Sequence, residues 1–341
     1  MHKPVGRFLV AIFGLIVFLI LSFYLHITNG MFDISFSEVF KTLFGFETNE
    51  TFRLVIFDFR LPRIVIASLI GVALAISGVV LQGITKNGLA DPGILGINSG
   101  AGAAVVIFMY FFQFQAVRTD GSDIVNILMM PVFGFVGGTL AALLIFTFSY
   151  KNGYLDVQRL ILTGIAINSG FGAISLYISL KMNEKDFESA AIWQAGSIYN
   201  ANWTFIIAML PWIIILGFYI YRKAYILDYF LLEENEIISL GIPLEREKNL
   251  LLLASVGLVS ASVSVSGNIG FIGLMAPHIA RQLVGISNRF VMPASAFIGA
   301  GLLIFSDFLA KTVFAPSELA VGIVVSIIGI PYFLYLLIKE K

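Results

Sequence analysis

The sequence predicts an all-α polytopic membrane protein of about ten transmembrane helices, with short re-entrant helices and an inverted repeat. Three observations predict it. Of 341 residues, 58% are hydrophobic and 12% charged, with a mean hydropathy of +0.94; soluble chains have about half apolar and a quarter charged residues. Apolar runs recur along nearly the whole chain, most of about the length that crosses a ~30 Å hydrocarbon core at 1.5 Å per residue. Small and weakly polar residues sit inside those runs, which a lipid-facing anchor does not need but a helix facing other helices or a path does.

The first apolar run covers Phe8 to Thr28, behind Lys3 and Arg7. It is longer than a signal-peptide core and lacks a small-residue cleavage site, so it is expected to be a retained helix with its N-terminus inside. Residues 29–59 form a polar connection, and Ile34 to Phe44 suits a short interfacial helix starting near Ser35 or Ser37; a passive outer loop is the alternative. Further spans are expected at roughly 63–84, 94–114, 124–148, 159–180, 203–221, 250–267, 271–286, 291–310 and 319–338. The stretch 250–286 is too long for one straight crossing and too short for two full ones. Ser266-Gly267-Asn268-Ile269-Gly270 breaks it. With that break both basic ends lie inside, and of the 21 Lys and Arg residues 13 fall inside and 8 outside, as the positive-inside rule requires. Ser189 to Ser197 is too short to cross and is expected as a half-helix on the outer side, where protein or a water-filled path covers its broken backbone.

Two internal echoes accompany this plan. Ile97-Asn98-Ser99-Gly100-Ala101-Gly102 recurs as Ile167-Asn168-Ser169-Gly170-Phe171-Gly172. Ser77-Gly78 followed by Pro92 resembles Ser266-Gly267 followed by Pro277, on spans of opposite direction, as an inverted repeat predicts.

Composition also excludes. Net charge is zero, so no nucleic-acid partner is expected. There is no cysteine, hence no disulfide, thiolate metal site or cysteine nucleophile. His2, His26 and His278 show no metal-ligand spacing; no metal site, cofactor or catalytic residue is assigned. The phosphate-binding pattern GxxxxGK[ST] is absent from the sequence, so ATP, if it drives this protein, binds another chain.

The motifs Arg60-Leu61-Pro62-Arg63, Asn87-Gly88-Leu89-Ala90-Asp91-Pro92-Gly93-Ile94-Leu95-Gly96 and Gly270-Phe271-Ile272-Gly273-Leu274-Met275-Ala276-Pro277-His278 resemble those of the FecCD-type permeases. These are the membrane subunits of ABC importers for iron-siderophores and vitamin B12. The likeness runs from about the first span to the C-terminus. It implies one permease domain over 1–341, a second permease subunit, two copies of an ABC ATPase and an extracytoplasmic substrate-binding protein. The implied cargo is a ferric siderophore, with a corrinoid or haem as alternatives, and the location is the cytoplasmic membrane with both termini inside.

Three groups of residues carry functional expectations. Arg60, Arg63 and Lys311 end spans on one side of the membrane; such cations can receive carboxylates. The resemblance implies that they dock acidic residues of the binding protein, with Lys311 where an Arg is common. Snorkelling anchors are the alternative. In the long inner loop, about 222–249, Leu232, Glu236, Ile237 and Leu240 recur at helical spacing, and Gly241 suits the position after a helix end. The resemblance makes Glu236, Leu240 and Gly241 the ATPase-coupling element, although Ile237-Ile238 depart from the usual small residue there. Gln82, Asn98, Ser99, Thr163, Asn168, Ser169, Ser262, Ser264, Ser266 and Asn268 are weakly polar within spans, and either line a path or join helices. Asn98, Ser99, Asn168, Ser169 and Ser326 are the path candidates, the fifth and last spans being chosen by resemblance. Asp307, within a span, is placed one turn before Lys311 and expected to pair with it. An ion-coupled secondary transporter is the competing function; it needs a coupling-ion site at midplane.

Overall fold

A computed structural model describes residues 3–30, 33–46, 49–113, 124–151 and 154–339. Helix α1 runs Lys3–Thr28. The polar connection then folds as α2, Phe36–Leu43, and here Ser35 is the start signal. Its hydroxyl accepts the Glu38 amide while the Glu38 carboxylate accepts the Ser35 amide at 2.8 Å, a reciprocal cap that satisfies two otherwise orphaned donors. These hydrogen bonds hold the Glu38 carboxyl below its ordinary range.

Helix α3, Glu50–Leu54, passes through a π-helical turn, Val55–Arg60, into α4, Leu61–Thr85. Pro62 lies just after the π-helical turn; it lacks an amide hydrogen, and such a locally altered ladder is where a helix accommodates the missing bond. A 3₁₀ turn, Pro92–Leu95, then leads into α5, Ile97–Phe108. Helix α6, Ile124–Ser149, is joined to α7, Val157–Ser179, by a two-stranded antiparallel hairpin of Tyr150–Lys151 and Tyr154–Leu155. Then come α8, Glu184–Gln194, α9, Trp203–Arg222, α10, Ala224–Tyr229, and α11, Glu234–Ser239. Helices α12, Leu244–Ser266, α13, Ile272–Val284, α14, Asn288–Thr312, and α15, Val321–Lys339, complete the chain.

Among the described residues eight helices are long and apolar enough to cross a membrane, and a shorter apolar helix covers Ile97–Phe112. The protein is therefore a multi-pass membrane protein, and the expected figure of ten is met only if short α5 and α13 are included. Two boundaries differ from expectation. Helix α12 begins at Leu244, inside the polar loop, because its charges are paired there: Lys223 to Glu247 at 2.7 Å and Lys248 to Glu245 at 3.2 Å. Helix α8 also starts early, at the cap Asn183, with Glu184 and Asp186 in its first turn, where negative charge suits the helix dipole.

The largest buried apolar cluster draws residues from α1 through α15. Glycines bring α4 against its neighbours: a Cβ at Gly78 would lie 1.9 Å from the Gly273 carbonyl oxygen, and one at Gly71 would lie 2.3 Å from that of Gly299. The Ser77-Gly78 pair is thus helix glue, with Ser77 Oγ donating to the Ser255 carbonyl at 3.2 Å. The residues of the second echo fall at unlike places: Gly78 lies inside α4 while Gly267, at φ 69°, ends α12, and Pro92 opens the 3₁₀ turn while Pro277 lies inside α13.

Candidate functional site

The sequence-distant cations do converge, but they face inward. Arg60 is buried and donates to the Ile27 carbonyl. The Arg63 side chain is 11% exposed and forks onto Asp307 at 2.6 and 2.8 Å, with a further bond to Glu318 at 2.7 Å. Lys311 Nζ donates to the His26 carbonyl at 2.6 Å and meets His26 Nδ1 at 3.2 Å. His26 Nε2 lies 2.7 Å from the fully buried Asp307 carboxylate. The expected Asp307–Lys311 pair is therefore replaced: Asp307 is taken by Arg63 and His26, because a planar guanidinium offers two parallel donors that an ammonium cannot. Nor do the three cations stand as exposed rim charges; burial leaves them as ties between the ends of α1, α4 and α14. His26 and Glu318 were missed in the sequence. The available signal was an imidazole in the last turn of an apolar run, since ionisable groups there usually have a partner.

Beyond Arg63 lies a cavity of about 590 Å³, lined by Arg63, Glu318, Tyr199, Trp193, Ser264 and Val321 among others. The Arg63 guanidinium carbon sits 5.9 Å from the Tyr199 ring centre. Helix α8 forms part of this wall, so the short segment does border an open space.

At the other end of α4 the hairpin motif is tied to α13. Gln82 donates to the Gly273 and Leu274 carbonyls at 3.3 Å each, and accepts from Arg281. Asp91 Oδ1 accepts the Gly93 amide at 2.7 Å, while Oδ2 has no hydrogen-bond partner among the described residues. Burial pushes this carboxyl up to about 6, against the opposing pull of the Gly93 amide. A folded-state pKa above the unfolded one means that the native state holds the proton more tightly. Stability from this group is then greatest below about pH 4 and declines as pH rises to about 6, by up to about 3 kcal/mol. Asp91→Asn should flatten the fall in unfolding temperature between pH 4.5 and 6.5; an unchanged slope would remove this assignment.

The coupling candidates form the expected local structure. Glu236 is the third helical residue of α11, and its carboxylate accepts the Glu233 amide at 3.2 Å. Gly241 follows the helix end at φ 75°, and Ile242 donates to the Ile237 carbonyl at 3.4 Å, the six-to-one bond of a Schellman end. Glu236 and Leu240 are exposed, while Ile237 is buried and so anchors the helix. Lys86, just past α4, donates to the Leu232 carbonyl at 2.7 Å. The loop and the Arg63 cluster therefore occupy opposite ends of the 25-residue α4, about 37 Å apart along its axis.

Three of the five path candidates come together. Asn98, Ser99 and Asn168 share a cavity of about 120 Å³ with Asn268. Ser169 is exposed and bonds the Ile165 carbonyl; Ser326 bonds the Gly322 carbonyl; neither lines that cavity. Asn168, Ser169, Gly170 and Gly172 form an exposed, small and polar face on α7. Lipid does not favour such a face, and a protein partner or a wet path does.

A bundle of membrane-spanning helices with broken elements, a cavity at one end and a capped amphipathic helix at the other defines a transport-type membrane domain. The chain belongs to the FecCD transport family, whose model matches residues 15–339. It is 48% identical to the iron-uptake system permease protein FeuC of Bacillus subtilis (strain 168), over 93% of this chain and 94% of that one. It is 42% identical to the iron(3+)-hydroxamate import system permease protein FhuG of the same organism, over 95% of each. Identity to the hemin transport system permease protein HmuU of Yersinia pestis is 36%, over 89% and 88%. The fold matches a solved metal-chelate type ABC transporter in an inward-facing conformation, with TM-score 0.82 and 27% identity, over 96% of this chain and 98% of that one.

Proposed function

We propose that this chain is the permease subunit of an ATP-binding-cassette importer that carries a ferric siderophore across the cytoplasmic membrane. The family match over residues 15–339 carries the reading, and the two iron permeases at 48% and 42% identity support the cargo. The hemin permease among the relatives favours haem as the second cargo; a corrinoid is the third. ATP hydrolysis belongs to a separate pair of ATPase chains that grip α11, with both termini and α11 on the cytoplasmic side. The exposed polar face of α7 suits a second permease subunit enclosing the path, with Asn98, Ser99, Asn168, Ser169 and Ser326 as its polar lining. The opposite end takes cargo from a substrate-binding protein. There Arg60, Arg63 and Lys311 serve docking by fixing helix ends, since their charges are already engaged. An ion-coupled transporter lacks support from Asp307, whose carboxylate is occupied by Arg63 and His26.

Uptake of radio-iron presented as hydroxamate, catecholate, citrate or haem complexes tests this reading. Uptake of one ferric chelate should survive a protonophore and stop on ATP depletion; the reverse dependence would overturn it. Gly241→Val should uncouple ATP hydrolysis from uptake. No atom lies within 4 Å of a Cβ built at Gly241, so the effect is local backbone strain of about 1–2 kcal/mol at φ 75°. Wild-type transport per ATP hydrolysed would retire α11 as the coupling element.

A further inference from the structure

The start of α14 is held by another helix. Ser287 stands at its N-cap position, but the Ser287 side chain caps nothing. The cap comes from α10. Asp228 Oδ1 accepts the Asn288 backbone amide at 2.7 Å and the Asn288 side-chain amide at 2.8 Å, and Oδ2 accepts the Ser287 hydroxyl at 3.4 Å. A carboxylate suits this place, because the first amides of a helix lack intrahelical acceptors and carry partial positive charge. The residue before it, Leu227, is fully buried, and its Cδ2 lies 3.2 Å from a Cβ built at Gly83, near the inner end of α4. Short α10 therefore sits on two long helices at once. Those two helices form one antiparallel rod. Arg63 forks onto Asp307 at the outer end, and Gly71 meets Gly299 backbone to backbone further in. Such contacts transmit a displacement, since neither side has a side chain that can rotate away.

We propose that Asp228 is the positioning residue through which movement of the inner loop reaches the α4–α14 pair. This role rests on the importer reading of the chain, in which an ATPase grips α11, and adds the route by which the stroke leaves the loop. Helix α10 is joined to α11 by residues 230–233, and Phe230 at the start of that link is 2% exposed. A push on α11 therefore shifts α10. Helix α10 cannot leave α14 without stripping the Asn288 amide of its acceptor, in a residue that is 4% exposed. A buried amide without a partner is costly, so α14 follows. With it go α4 and the Arg63–Asp307 fork, about 30 Å along the axis from Asn288.

Two measurements test it. In proteoliposomes holding the permease with its ATPase, radio-iron uptake and ATP hydrolysis are followed together. The iron is supplied as whichever hydroxamate, catecholate, citrate or haem complex the wild type takes up. Asp228→Ala should leave hydrolysis near the wild-type rate and lower uptake per ATP hydrolysed by about ten-fold, a coupling of ordinary size. Asp228→Asn keeps an oxygen acceptor for the Asn288 amide and should restore most of the loss. Asn288→Asp sets a like charge against Asp228 and should uncouple in the same way; it serves if the alanine variant fails to fold. A cap with no part in coupling would change the yield of folded complex and leave uptake per ATP as it was. The chain has no cysteine, so nitroxide labels introduced at Tyr225→Cys and Arg289→Cys, both exposed positions, report the seat of α10 on α14. Their distance distribution should be narrow in the wild-type background and broad with Asp228→Ala. Wild-type uptake that ignores ATP would overturn the importer reading and this route with it. A coupled wild type whose variants carry as much per ATP, or a label distance that stays narrow, would overturn the role of Asp228 alone.

Discussion

Asp307→Ala is expected to destabilise the protein by about 3–5 kcal/mol, because it strands two buried partners at once. The Arg63 side chain, 11% exposed, loses both arms of its fork and keeps only Glu318; His26, fully buried, loses its acceptor. Thermal unfolding in nanodiscs, followed by tryptophan fluorescence, should shift down by on the order of 5–10 °C. Glu318→Gln is the matched comparison. Glu318 has 24% side-chain exposure and takes one bond from Arg63, so its loss should cost about 1 kcal/mol. Equal shifts for the two variants would mean that the interior ion cluster does not hold the helix ends. Arg63 would then be free for direct contact with a binding protein. Charge reversal at Arg60 and Arg63 is a poor probe of docking for the same reason: it disrupts the fold before it alters a surface.

The second large effect is expected at Gly78→Val. A Cβ there would sit 1.9 Å from the Gly273 carbonyl oxygen, in a backbone that cannot swing aside as a flexible side chain could. The helices must separate, which costs about 3 kcal/mol or more and breaks the Gln82 bonds to the Gly273 and Leu274 carbonyls. The observable is loss of folded protein on size-exclusion chromatography. Gly14→Val, inside α1, is the control: a Cβ there meets nothing within 4 Å, and the helix interior tolerates valine at under about 1 kcal/mol. Similar behaviour of the two variants would show that α4 and α13 are not packed through their glycines.

What could be seen in the residues beforehand followed from local chemistry. A helix start near Ser35 and the left-handed Gly241 are properties of a few consecutive residues, and both formed. So is the break after Ser266, which needs only a glycine able to adopt φ 69°. The outcome at Asp307 was not legible. Helical spacing offers Lys311 as a partner one turn away, but Arg63 arrives from 244 positions earlier in the chain with a better geometry. Burial, too, is a property of the assembled bundle: Arg60 and Lys311 end helices, as exposed anchors do, yet both are 7% exposed.

The sequence by itself determined that this chain spans a membrane many times, where its helices break, and which family it resembles. Apolar runs, helix caps and positive-φ glycines act over a turn or two, and the bilayer demands that each span satisfy its own backbone. Only the tertiary structure decided which charges neutralise one another, which small residues join helices, and that Asn98, Asn168 and Asn268 share one cavity. Those outcomes depend on distances between helices remote in sequence, which packing sets and no local pattern encodes.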